Sequence, residues 1–191
     1  MIGTRNRSPG QARFRRAAIA VLSLALLTTA ALGAARWMQF VYAPPTAEEY
    51  LAHLGGVAKL IPAGALTYDG QSFACGRFPT MLNARLDDYG AAFFGFVLLN
   101  PARFDALPLT LKRYAYAHEC GHQYVGYDEG EADCYAVRWG RREGWLDAQA
   151  MDDICAFISR AKGDGVHALG TRRCQMMRQC LVRSRPGREP L

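Results

Sequence analysis

Residues 118–136, HECGHQYVGYDEGEADCYA, hold the densest set of side chains in this chain that could do chemistry. His118, Glu119 and His122 have the spacing H-E-x-x-H. On an α-helix, positions i and i+4 share a face, so two imidazoles at this spacing can aim at one ion. Glu119 is one step round the helix, beside the ion rather than on it. Water on a zinc ion is far more acidic than bulk water, and a neighbouring carboxylate can take its proton to make a nucleophile. The chemistry implied is metal-assisted hydrolysis, with Zn2+ as the cofactor and Glu119 as the general base. A catalytic zinc takes three protein ligands as a rule. Asp128, Glu129, Glu131 and Asp133 all compete for the third place.

The bland alternative is chance. Three fixed residues at this spacing arise in on the order of one chain in a few hundred. Burying such a cluster with no ligand carries a heavy desolvation cost, which favours the metal. The segment after it adds weight. Glu129 and Asp133 are again i and i+4, in the form E-x-x-A-D.

H-E-x-x-H followed by E-x-x-A-D resembles the gluzincin superfamily of zinc metallopeptidases. The resemblance implies a pair of packed helices in which His118, His122 and Glu129 bind zinc. It also implies that Asp133 accepts a hydrogen bond from His118 and fixes its tautomer. It covers about nineteen residues closely and the rest loosely. One departure is the hinge: only QYVGYD separates His122 from Glu129, so the chain must turn sharply, and Gly126 is the residue able to allow it. Metzincins use a still shorter return that would select Asp128, but their hinge glycine falls here on Val125. Asp128 and Glu131 also have a structural use, as the first and last residues of a capping box. Glu129 is therefore the expected third ligand, with Asp128 and Glu131 as alternatives.

A zincin transition state carries an oxyanion, and His167, in the loop GDGVHALG, is the spare histidine of the C-terminal half that could stabilise it. An ordinary surface-loop histidine is the competing reading. Tyr124 and Tyr127 flank the hinge and could line a cleft or simply pack. Six cysteines, Cys75, Cys120, Cys134, Cys155, Cys174 and Cys180, suggest three disulfides in an exported chain. Their connectivity cannot be deduced, although Cys120 and Cys134 should tie the two metal helices to each other or to neighbouring segments. A Cys75 thiol blocking the zinc is a further use considered for that residue.

The elements that must position these groups read as α+β. The expected form is a mainly helical, zincin-like domain with a small antiparallel sheet before the metal helix and helices after it. Thr46-x-x-Glu49 caps a first helix. Asp69-Gly70 between β-type flanks signals a hairpin. AAFFGFVLLN, 91–100, reads as one strand with one face buried. The gluzincin resemblance implies a sheet-edge strand here that could pair with an extended substrate, while the plain reading of the residues is a buried strand. A helix from near Pro108 carries H-E-x-x-H and stops at Gly126. Further helices are expected over 128–142, over roughly 147–162 with Met151, Ile154, Cys155 and Ile158 on one face, and from Thr171 onward.

The net charge of +6 hints at nucleic acid, but its location removes the hint. Residues 1–36 contain six arginines and no acid, and without them 17 basic residues face 17 acidic ones. The body is neutral, so no nucleic-acid partner is expected. Arginines precede an uncharged run over 17–35, which reads as a signal peptide or an uncleaved membrane anchor. Either places the remainder outside the cytoplasm, in the periplasm or another extracytoplasmic space. The expected domains are thus 1–36 for targeting, 37–182 for the zincin-like domain and 183–191 for a basic disordered tail. The expected partner is a peptide or protein substrate, with membrane contact through 17–35 if it is retained. The rival reading is a non-catalytic, disulfide-braced envelope scaffold or partner-binding protein that keeps the helix pair. Oligomeric state is not legible.

Overall fold

The structure, a computed structural model, describes residues 44–183 together with Thr28, Thr29, Ala31 and Leu32, which are helical. Contacts divide the chain into two units, Met1–Pro44 and Pro45–Leu191, and every strand belongs to the second. The targeting segment over 17–35, those four residues apart, lies outside the described residues, as does the basic tail beyond Arg183. No helix among the described residues is long and apolar enough to cross a membrane.

The class is α+β. Helix α1 (Ala47–His53) opens with the expected capping box, Thr46 and Glu49 satisfying each other's backbone N–H. Four strands form the main sheet: β1 (Ala58–Ile61), β4 (Thr80–Asn83), β5 (Gly90–Phe93) and β6 (Phe96–Leu99), in the order β1-β4-β6-β5. β2 (Leu66–Tyr68) and β3 (Gln71–Phe73) form the hairpin expected at Asp69-Gly70. Both of its turn residues take positive φ, 52° and 71°, as a two-residue β-turn of this kind requires.

Two expectations about the sheet are corrected. It is mixed rather than antiparallel, because β4 and β6 run parallel, Thr80 opposite Val97 and Leu82 opposite Leu99. The run 91–100 is also two strands, β5 and β6, joined by a tight turn at Phe94-Gly95. The physical reason for both is the difference in hydrophobicity between the halves. Phe96, Val97, Leu98 and Leu99 are all fully buried, so β6 takes the centre of the sheet with both faces covered. The smaller residues of β5 occupy the edge.

The two faces of β6 meet different layers. Phe96 and Leu98 pack with Ala47 and Met81 beneath α1. Val97 and Leu99 join the main core formed with the long helices. Those are α3 (Leu109–Val125), α4 (Glu129–Arg142), α5 (Ala148–Ile158) and α6 (Gly170–Arg183), preceded by the short α2 (Pro101–Asp105). α5 stops at Ile158, four residues short of the expected 162, because the chain turns there into the loop that carries His167.

The helices are held close by small residues and by three disulfides. A Cβ at Gly121 of α3 would lie 3.2 Å from both the Ala132 Cα and the Tyr135 Cβ of α4, so glycine sets how near the two helices come. Cys75–Cys120 ties the loop after β3 to α3, Cys134–Cys180 ties α4 to α6, and Cys155–Cys174 ties α5 to α6. Cys120 and Cys134 thus bind neighbouring segments, not each other. Cys75 is paired and has no free thiol for a metal.

Candidate metal centre

α3 places His118 and His122 one turn apart on its inner face. Gly126 ends the helix with φ 71° and ψ −145°, a conformation open essentially to glycine alone, and this reverses the chain within the short hinge. Asp128 then caps α4, its Oδ1 accepting the Glu131 N–H at 2.9 Å. Only this half of the expected capping box forms, since the Glu131 carboxylate lies 3.8 Å from Arg138 instead. Neither Asp128 nor Glu131 reaches the histidines as a ligand.

Glu129 does. His118 Nε2 is 3.3 Å from His122 Nε2 and 3.1 Å from Glu129 Oε2, while His122 Nε2 is 3.6 Å from Glu129 Oε1. These three form a group able to hold a metal ion, all ligand atoms lying within 4.8 Å of one another. Tetrahedral ligands with bonds of about 2.0–2.1 Å sit roughly 3.3–3.4 Å apart. The edge between the histidines matches that value and each histidine has one Glu129 oxygen close to it, so the donor set suits one small ion.

Both imidazoles are oriented from behind. His118 Nδ1 faces Asp133 Oδ1 at 2.9 Å and His122 Nδ1 faces the Gly126 carbonyl at 2.6 Å. Carboxylate and carbonyl oxygens only accept, so each Nδ1 donates its hydrogen and Nε2 is the atom each ring turns toward the ion. The hinge that reverses the chain thus also aims the second histidine.

Asp133 is fully buried and is held from three sides. Besides His118, Tyr114 donates its hydroxyl hydrogen to Oδ1 at 2.5 Å. Arg173 of α6 donates to both carboxylate oxygens at 2.8 Å and to the Tyr114 oxygen at 3.2 Å. Burial works to raise the Asp133 carboxyl, but Arg173 and His118 outweigh it and hold the group well below the usual carboxylate range. The effect on His118 is reciprocal. Burial would lower its pKa, yet the hydrogen bonds to Asp133 and Glu129 lift it to about 9 in the metal-free protein.

Glu119 lines the cleft beside the cluster. Burial, and then the nearby Glu129 and Asp88 carboxylates, push it up to about 7 against the pull of His118. Gly90, at the start of edge strand β5, forms its wall: a Cβ there would fall 2.8 Å from Glu119 Cγ. Gln123 fixes the β5–β6 turn to α3, accepting from Gly95 N and donating to the Phe93 and Phe96 carbonyls.

His167 comes to the same place from the α5–α6 loop. Its Nε2 lies 3.3 Å from Glu129 Oε2 and its Nδ1 3.1 Å from Asp164 Oδ2. It stays outside the three-ligand group. Tyr124 and Tyr127 do not line the cleft. Tyr124 stacks on Tyr135, and Tyr127 is exposed. The cleft has a volume of about 640 Å³. A smaller depression, lined by Phe73, Tyr116, Trp139 and Trp145, shares none of the metal-site residues.

Sequence reading passed over Tyr114, Asp164, Arg173, Gly90 and Gln123. Two had a signal: Tyr114 is four residues before His118 on the same helical face, and Asp164 is three before His167. Arg173, forty residues from Asp133, had none. The chain matches no protein-family model, no curated protein and no solved structure.

Proposed function

We propose that the protein is a zinc metallopeptidase acting outside the cytoplasm, with a helix pair similar to that of gluzincins. The observation that carries this reading is the triangle of His118 Nε2, His122 Nε2 and Glu129, with Glu119 beside it on an open cleft. Two neutral imidazoles and one carboxylate suit zinc, and an incomplete protein shell is the mark of a catalytic rather than a structural site. Three disulfides support an oxidising compartment.

When bound, zinc supplies Lewis acidity toward a carbonyl oxygen and toward water. The remaining work falls to the chain's own groups. Glu119, buried beside the cluster on the cleft wall, is placed to exchange a proton with water held there. It takes the proton from the attacking water and returns it to the departing amine. His167, steadied by Asp164, donates a hydrogen bond to the oxygen that gains negative charge. Asp133, clamped by Arg173 and Tyr114, keeps His118 in its metal-binding tautomer. Among the described residues no strand pairs with the outer edge of β5, which offers backbone groups to an extended peptide.

Hydrolysis of a mixed peptide library by the zinc-loaded protein tests the proposal. Cleavage abolished by Glu119→Gln, with metal content unchanged, supports it. Full zinc loading without cleavage of any peptide would leave the non-catalytic scaffold as the reading to pursue.

A further inference from the structure

The cleft beside the metal triangle has two chemical characters. One part of its lining is apolar: Leu107 just before α3, Leu111 and Ala115 within it, and Phe157 and Ile158 from the end of α5. Tyr89 and Phe157 meet edge to face there at 5.6 Å. The other part is the segment leaving α5, which brings Arg160 and Lys162 to the same cleft. Both are exposed, and neither side chain makes an ion pair or hydrogen bond among the described residues.

The other charged groups on this lining make bonds of their own, and Asp88 and Asp164 keep their negative charge. Asp164 Oδ1 accepts the N–H groups of Val166 and His167. Asp88 Oδ1 accepts the Tyr89 N–H. Arg173 is spent on Asp133 and Tyr114, His118 on Asp133 and Glu129, and His167 on Asp164 and Glu129. Among the described residues, Arg160 and Lys162 are therefore the cations on this lining whose side chains have no partner, and they sit beside its apolar part.

An apolar pocket alone discriminates weakly, since one methylene changes binding by only about 10–200-fold. A charge partner next to it sharpens the choice, because a ligand lacking the charge leaves a cation unmatched. Resting on the peptidase reading, we infer that the substrate is a peptide with an apolar side chain and a carboxylate beside it. The apolar group fills the pocket and the carboxylate pairs with Arg160 and Lys162. That carboxylate has two sources, the free C-terminus of the peptide or an acidic side chain following the apolar one.

Three probes separate the sources: acetyl-Gly-Gly-Leu as the free acid, the same peptide as its C-terminal amide, and acetyl-Gly-Gly-Leu-Glu amide. Their binding to the zinc-loaded Glu119→Gln protein is measured by calorimetry, without turnover. One of the two carboxylate-bearing probes should bind at least about tenfold more tightly than the Leu amide, the scale of one charge-assisted hydrogen bond of modest strength. The double substitution Arg160→Ala/Lys162→Ala, on exposed positions, should abolish that preference while leaving binding of the Leu amide unchanged. Equal binding of all three probes, or a carboxylate preference that survives the double substitution, overturns the inference.

Hydrolysis by the wild-type protein separates this failure from failure of the peptidase reading. Cleavage of Leu peptides regardless of a carboxylate keeps the peptidase and discards the recognition. Carboxylate-dependent binding through Arg160 and Lys162 without any cleavage keeps the recognition and discards the peptidase. Absence of binding by every probe discards the recognition.

Discussion

Arg173→Met tests whether the α6 helix takes part in metal binding or merely packs. The substitution keeps an unbranched apolar stem, takes away the guanidinium, and removes two hydrogen bonds of 2.8 Å to Asp133 and one of 3.2 Å to Tyr114. The pair is buried, with side-chain exposures of 13% for Arg173 and 0% for Asp133. Removing one partner of a buried pair costs about 3–5 kcal/mol. Asp133 retains His118 and Tyr114, so the lower end, about 3 kcal/mol, is expected in urea unfolding of the metal-free protein at neutral pH. The loss should pass to the metal, because disturbing the group behind a histidine ligand lowers affinity by about 10–100-fold. The pH dependence stems from the depressed Asp133 carboxyl. Its stabilisation is present above the unfolded value of 3.8 and is lost as pH falls through the lower folded value. Without Arg173 the opposing effect of burial is less balanced, the folded value rises, and acid unfolding begins at higher pH. A competitive zinc titration is the deciding assay. Lowered stability with zinc affinity within about twofold of wild type would refute the coupling. In the Asp133→Asn background, Arg173→Met should add little further loss of affinity, since Arg173 acts through Asp133.

Three other expectations rest on the geometry. Gly126→Ala forces a side chain into a region closed to it, costing about 1–3 kcal/mol, and shifts the carbonyl that aims His122. Both thermal stability and zinc affinity should fall, and unchanged affinity would separate the hinge from the site. Zinc binding near pH 8 should release about one proton, because His118 is held up to about 9 without metal and must lose its extra proton to ligate. Calorimetry in two buffers of different ionisation enthalpy measures this, and a proton count near zero would contradict a His118 held charged by Asp133 and Glu129. Cys155→Ala/Cys174→Ala opens the bridge that brackets the loop bearing Asp164 and His167, across a separation of 19 residues. It should cost about 3 kcal/mol in unfolding measurements.

What the sequence disclosed, and what it concealed, divides along the range of the interactions. The helix pair was legible because H-E-x-x-H and E-x-x-A-D are local patterns whose spacing fixes a shared face. The Asp69-Gly70 turn and the Thr46 cap were legible for the same reason. The 91–100 run was misread because a continuous apolar stretch has no period to show where a strand ends. Gly95 was the only mark of the turn, and it sat between aromatic residues that looked like strand interior. The parallel pairing of β4 with β6 depends on which strand takes the sheet centre, a choice made by burial across the whole fold. Arg173 was invisible because its partner is set by the packing of α6 against α4, which no local pattern records. The disulfide pairing was hidden in the same way, since each bridge reports a contact between elements distant in the chain.

The central claim is that His118, His122 and Glu129 together hold one ion. Its most direct test is the metal content and zinc X-ray absorption of the purified protein, alongside Glu119→Ala and Glu129→Ala. About one zinc per chain is predicted, with two imidazoles and an oxygen ligand at about 2.0–2.2 Å. Glu119→Ala should retain it and Glu129→Ala should lose it. A wild-type protein that stays metal-free after exposure to zinc, or zinc binding that survives Glu129→Ala undiminished, would contradict the account.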